Sequence, residues 1–232
     1  GKTDLAIWRE NAVGSSGYFY ILESFSNTVR IEQFGTTGDD TQVVGDWDGD
    51  GLDDLAVYRA GTNAGEQSTF YYRPSSEISI GYVAINWGLN GDEALRGDFD
   101  GDNRMDAAIY RATDNTWYIL QSSNDQIRYD YWGLPSDKRV SGDFDGDNKT
   151  DLAFYREGIW AVQQSSNNQA RYESWGLNTD TLVVGDYDGD GLTDFAVWRD
   201  GVYYILNSSN SQISYQSFGI PSDIPVASAF NR

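Results

Sequence analysis

One segment of this chain is written five times. Gly45–Arg59 reads GDWDGDGLDDLAVYR, and Gly97–Arg111 (GDFDGDNRMDAAIYR), Gly142–Arg156 (GDFDGDNKTDLAFYR) and Gly185–Arg199 (GDYDGDGLTDFAVWR) nearly superimpose on it. The fifth copy is split between the two ends. Gly1–Arg9 (GKTDLAIWR) matches the second half of the motif, and Val226–Arg232 (VASAFNR) matches the first half with its acids eroded. A fixed internal period constrains a fold more tightly than composition does, because each unit must bury its apolar face against the next copy.

The rest of the unit recurs as well. Each motif is followed by an aromatic run: Tyr18–Leu22, Phe70–Arg73, Trp117–Leu120, Trp160–Val162 and Tyr203–Leu206. Past a polar Ser/Asn turn comes a second run ending in an aromatic–Gly pair: Phe34-Gly35, Trp87-Gly88, Trp132-Gly133, Trp175-Gly176 and Phe218-Gly219. Motifs lie 52, 45 and 43 residues apart, the extra length falling in Gly61–Ser68 and around Gly81–Ala84. No stretch has a helical period, and each unit reads as four short strands separated by Gly, Asn, Asp and Ser turns. The expected fold is therefore all-β: a five-bladed β-propeller of four-stranded blades, one domain over residues 1–232. Its blades are 226–232 plus 1–35, 42–88, 94–133, 139–176 and 182–219. The C-terminal Val226–Phe230 is expected to complete the N-terminal blade as its inner strand, beside Leu5–Trp8, Tyr18–Leu22 and Val29–Phe34, so that no edge is left free. The alternative is a piece of a longer array whose ends happen to fall in register.

Charge and composition narrow the function. The 36 acids outnumber the 16 Lys and Arg, a formal charge of −20, which disfavours nucleic acid and anionic membranes. With no Cys and no His, disulfides, Cys- or His-ligated zinc and a Ser-His-Asp triad are excluded. No run approaches the roughly 18 apolar residues of a spanning helix, so no membrane insertion is expected. Gly1–Glu10 lacks the basic-then-apolar pattern of a signal peptide, so a secreted form is expected to have lost its leader or to carry it upstream.

The acids explain themselves by position. Each intact copy follows D-x-D-G-D-[G/N]-x-x-D: Asp46, Asp48, Asp50 and Asp54; Asp98, Asp100, Asp102 and Asp106; Asp143, Asp145, Asp147 and Asp151; Asp186, Asp188, Asp190 and Asp194. Alternate carboxylates on a tightly curled loop converge on one point, as a hard cation with about six to eight oxygen ligands requires. Position six is Gly51, Asn103, Asn148 or Gly191, the residues that best tolerate a left-handed backbone. Position seven (Leu52, Arg104, Lys149, Leu192) varies, as it would if only its backbone carbonyl is used. An EF-hand shares this opening but needs a Glu at position twelve and flanking helices, whereas position twelve here is Val57 or Ile109 inside an apolar run. Asp-Gly clusters also make plain turns, yet four copies crowding this many like charges are unfavourable without a cation. Four Ca²⁺ ions are expected, which would take the charge from −20 to −12. Mg²⁺ suits an all-protein cage less well. The split copy keeps only Asn231 and Asp4 and is expected to hold no ion.

These residues, with TWYIL and WGLPSD after them, resemble the FG-GAP or VCBS repeats of bacterial extracellular proteins and are similar to the calcium-bearing blades of the integrin α-subunit propeller. The resemblance covers essentially the whole chain. It implies a calcium loop joining the first and second strands of each blade, on the face opposite the usual ligand surface. It also implies an extracellular or cell-surface setting. Integrin-like propellers have seven blades rather than five, so partner choice does not carry over.

Three functions are weighed against this frame. The first is a non-catalytic binding or adhesion module for glycans or extracellular proteins, monomeric and stabilised by calcium. The second is a structural module that spaces domains or assembles by exchanging its end strand. The third is an accessory domain of a polysaccharide-active enzyme, for which Glu32, Glu77, Asp130 and Glu173 form no paired constellation. The recurring Phe34, Trp87, Trp132, Trp175 and Phe218 read as packing between blades, while Trp160, Tyr71, Tyr82 and Tyr131 are candidates for exposure. Every copy also ends in Arg (Arg9, Arg59, Arg111, Arg156, Arg199) and carries Asp after its aromatic–Gly pair (Asp39 or Asp40, Asp92, Asp137, Asp180, Asp223). Equal numbers point to structural Arg–Asp pairs on one rim rather than to a cationic ring awaiting an anion.

Overall fold

The computed structural model describes residues 2–10 and 16–229. Its strands in chain order are β1 (Asp4–Arg9), β2 (Ser16–Leu22), β3 (Val29–Thr36), β4 (Leu55–Arg59), β5 (Gln67–Arg73), β6 (Val83–Leu89), β7 (Glu93–Leu95), β8 (Ala107–Arg111), β9 (Thr116–Leu120) and β10 (Ile127–Asp130). They continue with β11 (Lys138–Gly142), β12 (Asp151–Arg156), β13 (Ile159–Gln163), β14 (Ala170–Ser174), β15 (Thr181–Leu182), β16 (Phe195–Arg199), β17 (Val202–Leu206), β18 (Ile213–Ser217) and β19 (Ile224–Ala229). Among the described residues the only helical element is a short 3₁₀ turn, Ile78–Ile80. Five antiparallel sheets result, ordered β19-β1-β2-β3, β4-β5-β6, β7-β8-β9-β10, β11-β12-β13-β14 and β15-β16-β17-β18.

The burial pattern runs from the axis outward. Second strands are buried on both faces, as in Leu55–Tyr58 and Phe195–Trp198, and so read as unbroken apolar runs. Third strands alternate buried and half-buried residues, and outer strands such as β14 alternate half-buried and exposed ones. This is the period-two signature of a sheet with one wetter face.

Ring closure is visible in the core. Five apolar clusters each join two neighbouring sheets: Ala6 and Trp8 with Leu55 and Val57, Tyr58 and Phe70 with Ile109, Trp117 with Leu152, Trp160 with Phe195 and Val197, and Ala196 and Tyr203 with Leu5. The last closes the circle, and the split sheet is completed by β19 pairing with β1 through Ala6↔Val226 and Trp8↔Ile224. The expected inner strand is thus present as β19; Phe230, Asn231 and Arg232 lie outside the described residues.

One blade departs from the expected four strands. In the second blade the inner segment touches β4 only through the isolated bridges Asp40↔Tyr58 and Gly45↔Asp54. The reason is local. Asp40 Oδ1 accepts the Gln42 amide at 2.9 Å and turns the chain, and the Gln42 side chain then donates to Pro225 O at 2.7 Å and accepts from Ala227 N at 3.1 Å. Gln42 thereby ties the second blade to the closing strand instead of extending its own sheet.

The aromatic–Gly pairs do pack between blades. Trp87 Nε1 donates to Tyr118 O and Trp132 Nε1 to Ala161 O, each in the following blade. The partner glycines let the outer turn rest on the next blade's second strand: a Cβ at Gly35 would lie 2.9 Å from Val57 and one at Gly176 2.9 Å from Val197.

Candidate metal centres and the opposite rim

Each acidic loop is anchored by its second residue. Trp47, Phe99, Phe144 and Tyr187 turn inward between blades, where Trp47 stacks on Tyr72 at 5.6 Å and Phe144 on Phe195 at 4.9 Å. The aromatic x of D-x-D recurs in every intact copy; that recurrence was the available signal for these anchors.

The first Asp of the motif organises the curl. Asp46 accepts the amides of Gly49 (2.6 Å), Asp50 (3.2 Å) and Gly51 (2.8 Å), and Asp98 accepts those of Gly101, Asp102 and Asn103. Position six takes the expected left-handed backbone in all four loops, with φ of 86° at Gly51, 66° at Asn103, 64° at Asn148 and 91° at Gly191. The ninth-position Asp is buried beneath the loop. Asp54 accepts the amides of Trp47 (3.0 Å), Asp48 (3.2 Å) and Ser75 (2.6 Å), and Asp106, Asp151 and Asp194 repeat the arrangement with Ser122, Ser165 and Ser208.

Carboxylate oxygens converge in every intact copy. Asp46, Asp48 and Asp50 form one triplet; the others are Asp98, Asp100 and Asp106, then Asp143, Asp145 and Asp151, then Asp186, Asp188 and Asp194, all with oxygens within 4.8 Å of one another. Position one and position three belong to every triplet, joined by position five in the first loop and by position nine in the other three. The fifth-position Asp102, Asp147 and Asp190 stand beside them, held by Ser122 (2.8 Å), Ser165 (2.8 Å) and Ser208 (3.0 Å) hydroxyls.

Those serines form a layer the motif alone does not reveal. A Ser-Ser pair in the turn after the third strand closes over each loop: Ser75 and Ser76, Ser122 and Ser123, Ser165 and Ser166, Ser208 and Ser209. The second hydroxyl donates to the third-position Asp, at 2.6 Å for Ser76 to Asp48 and 2.7 Å for Ser166 to Asp145. Their recurrence one turn after each aromatic strand is the signal that marks them.

The donor set fits a hard cation. It is all oxygen, and buried carboxylate oxygens of Asp100 and Asp145 (Oδ1 in each) have no hydrogen-bond partner. Burial pushes the Asp54 carboxyl up to about 7 against the pull of its amides, with the charges of Asp48 and Asp46 adding to the rise. Burial likewise lifts Asp106 and Asp151 to about 6 and raises Asp194, Asp46, Asp98 and Asp143. A cation at the convergence point would favour the ionised form of each. In the split copy Asp4 takes the ninth place, accepting the Ser24 amide at 2.6 Å; its proposed partner Asn231 lies outside the described residues.

The loops are also joined to one another. In the second, third and fourth intact copies and in the split copy, the eighth-position amide donates to the first-position carbonyl of the loop before it: Met105 N to Asp46 O (2.8 Å), Thr150 N to Asp98 O (2.7 Å), Thr193 N to Asp143 O (2.7 Å) and Thr3 N to Asp186 O (2.7 Å). The seventh side chains reach the same way. Arg104, Lys149, Leu192 and Lys2 each lie within about 3 Å of where a Cβ would stand on Gly49, Gly101, Gly146 and Gly189. The seventh residue therefore does more than offer a carbonyl: it packs across the neighbouring loop, and its identity is free only as far as its stem can cover that surface.

At the far end of the second strands the recurring Arg and Asp meet as five bidentate pairs: Arg9–Asp223, Arg59–Asp39, Arg111–Asp92, Arg156–Asp137 and Arg199–Asp180, each with an Nε and an Nη2 donor. Asp39, not Asp40, is the partner in the second blade. Each of these Asp residues also accepts an amide three residues back, such as Leu134 N to Asp137 at 2.7 Å. Each guanidinium lies over a ring, of Tyr20, Tyr71, Tyr118, Phe154 or Tyr204, at 4.7–4.9 Å. Among the aromatics expected to be exposed, Tyr82 and Tyr131 are, at 59% and 71%, and Tyr71 is half-buried. Trp160 is fully buried, its Nε1 donating to Trp175 O at 2.9 Å, because it faces the seam with the fifth blade beside Phe195.

No family model matches this chain, and no curated protein matches it. Among solved structures, one titled "Streptogramin B lyase structure" aligns over 95% of this chain and 70% of its own, with a TM-score of 0.45 and 10% sequence identity. The propeller architecture rests on the sheet order and the five inter-blade clusters.

Proposed function

We propose that this chain is a calcium-stabilised, non-catalytic propeller that works outside the cell as a binding module for glycans or extracellular proteins. The observation that carries the metal is the fourfold convergence of carboxylates within 4.8 Å. Oxygen-only, all-protein donors suit Ca²⁺ better than Mg²⁺, and weak multi-carboxylate sites fill where calcium is near millimolar. The ions serve architecture: they neutralise the loops that carry the first-to-second-strand connection in four of the five blades. Of the candidate acids outside the loops, Glu32 pairs with Arg73 (2.9 Å) and Asp130 with Arg128 (2.6 Å) instead of facing another carboxylate as a catalytic couple. The FG-GAP/VCBS resemblance supports the same reading through its motif residues.

Two measurements test it. Elemental analysis should find about four calcium ions per chain, lost with EGTA together with several degrees of melting temperature; a metal-free, EGTA-insensitive protein ends the reading. A glycan array probed in calcium should give a hit with a monomeric protein. A large strand-exchanged particle and an empty array would favour the structural module.

A further inference from the structure

The five blades are not equivalent at their seams, and the row of side chains between the first and second blades is interrupted by a cleft. Across each blade a row of side chains faces the preceding blade: Ile7, Tyr20 and Ile31; Val57, Tyr71 and Ala84; Ile109, Tyr118 and Tyr129; Phe154, Ala161 and Tyr172; Val197, Tyr204 and Tyr215. Four rows end in a large residue. The second ends in Ala84, and it is faced by Phe34, where three of the other seams carry Trp87, Trp132 or Trp175. Two truncations at one seam leave a cleft of about 240 Å³ lined by Phe34, Thr36, Val57, Arg59, Tyr71 and Tyr82.

The extra residues of this blade furnish the cleft's wall. The longer turn through Ile78–Ile80 and Gly81 delivers Tyr82 to the start of β6, two positions before Ala84 on the same face. There its ring meets Tyr71 edge-on at 5.6 Å while remaining 59% exposed. Arg59 supplies the polar edge. Its Nε and Nη2 are held by Asp39, Nη2 also by Thr36 Oγ1 at 3.0 Å, and its plane rests on Tyr71 at 4.8 Å. Its Nη1 makes no hydrogen bond among the described residues, and the side chain is 44% exposed.

We propose that this seam is a saccharide-binding site taking one neutral pyranose ring, its C–H face on Tyr71 and Tyr82 and its hydroxyls on Arg59 Nη1 and Thr36. The chemistry selects that class. Asp39 already neutralises the guanidinium and the chain carries −20, so an anion gains little. A wholly apolar ligand would bury the Nη1 donors unpaired. A sugar ring offers an apolar face and hydroxyls together, matching a cleft of aromatic walls with few polar groups. The site rests on the binding-module reading above and gives it an address.

The test is amide NMR of the calcium-loaded protein titrated with methyl glycosides of glucose, galactose, mannose and N-acetylglucosamine. At least one should shift Gly35, Thr36, Tyr71 and Tyr82 in a saturable way. Ala84→Tyr, which places here the residue that ends three of the other four rows, should abolish those shifts. Tyr82→Ala should weaken binding at least tenfold, and Tyr129→Ala on the equivalent row of the third blade should leave it unchanged. Melting temperature and calcium content should stay at parental values throughout. Saccharide shifts confined to other residues, or surviving in Ala84→Tyr, overturn this site while leaving a binding module standing. Absence of any shift at tens of millimolar overturns the site too, and a tryptophan or tyrosine amide titrating it instead would reassign it to peptide side chains.

Discussion

The two rims of the disc are both built on aspartate, and they balance its charge in opposite ways. On the rim of the Arg–Asp pairs each carboxylate has a guanidinium fork, an amide and almost no exposure, 0% for Asp137 and Asp180. On the acidic rim three carboxylates per loop converge, a fourth stands beside them, and only loop amides and serine hydroxyls receive them. One rim is complete within the chain; the other is arranged around a charge the chain does not supply. On the proposed reading the order of the first rim is independent of solvent ions and that of the second follows them, and the two are joined by second strands that start at one rim and end at the other.

The largest perturbation removes what both rims hang on. Deleting Ile224–Arg232 takes β19 from the split sheet, breaks the Gln42 contacts to Pro225 and Ala227 and opens an edge on β1. An insoluble or oligomeric product is expected by size-exclusion chromatography. A truncated monomer that melts like the parent would mean that the ring does not depend on its closing strand.

Removing calcium should act on one rim alone. With sites of about 10⁻⁴–10⁻³ M at millimolar calcium, each contributes roughly 0.4–1.4 kcal/mol through RT ln(1 + [Ca]/Kd). Because the eighth amide of the second, third and fourth intact loops bonds to the preceding loop's first carbonyl, filling one should help order the next. A calorimetric titration should be steeper than four independent sites, and Asp147→Asn should weaken calcium at its neighbours as well as its own loop. Independent titration of the remaining sites would show that these bonds transmit nothing.

Acidity separates the rims by sign. Burial raises Asp54 to about 7 and Asp106 and Asp151 to about 6, so the metal-free fold holds protons that the unfolded chain has released. Its stability should fall as pH rises from 5 to 7.5. Burial also presses on Asp137 and Asp223, but the Arg156 and Arg9 forks and the loop amides outweigh it and hold both below their ordinary value. Their contribution is present above the ordinary carboxylate range and is lost only as pH drops below it. Metal-free protein in chelator-treated buffer should therefore melt higher at pH 5 than at pH 7.5, and saturating calcium should remove or invert that difference. A metal-free melting temperature that rises with pH would place the titrating groups elsewhere.

Most of this was legible because it repeats. The copies carry the strand count, the closure, the carboxylate spacing (four times) and the Arg–Asp pairs (five times), since a repeated requirement leaves matching residues. What escaped the sequence is what happens once. Gln42 interrupts an inner strand through contacts with Pro225 and Ala227 that lie far away in the chain, and Ala84 opens a seam that only strand register could align with Tyr129, Tyr172 and Tyr215. Trp160 looked irregular because its neighbours in register, Tyr155 and Glu173, hide a buried face that linear spacing does not show. The Ser-Ser pairs recur too, yet polar turns are so common that their reach to the carboxylates needed the sheet's hairpin geometry to be seen.

The smallest expected effect gives the sharpest comparison. Arg111→Ala removes the fork to Asp92 (2.9 and 2.6 Å) and the stack on Tyr118 at 4.7 Å, leaving a buried carboxylate with the Leu89 amide alone. The guanidinium is a quarter exposed, so screening limits the loss to about 1–2 kcal/mol. Asp106 of the acidic rim stands five residues away along an extended strand, about 17 Å at 3.3 Å per residue. At that separation, without a shared partner, two perturbations add within a few tenths of a kcal/mol. Arg111→Ala should therefore cost the same stability in calcium and in EGTA, measured by urea unfolding under both conditions. A cost that changes with calcium would show that the strand between the rims carries strain from one to the other, and the two would have to be treated as one coupled system.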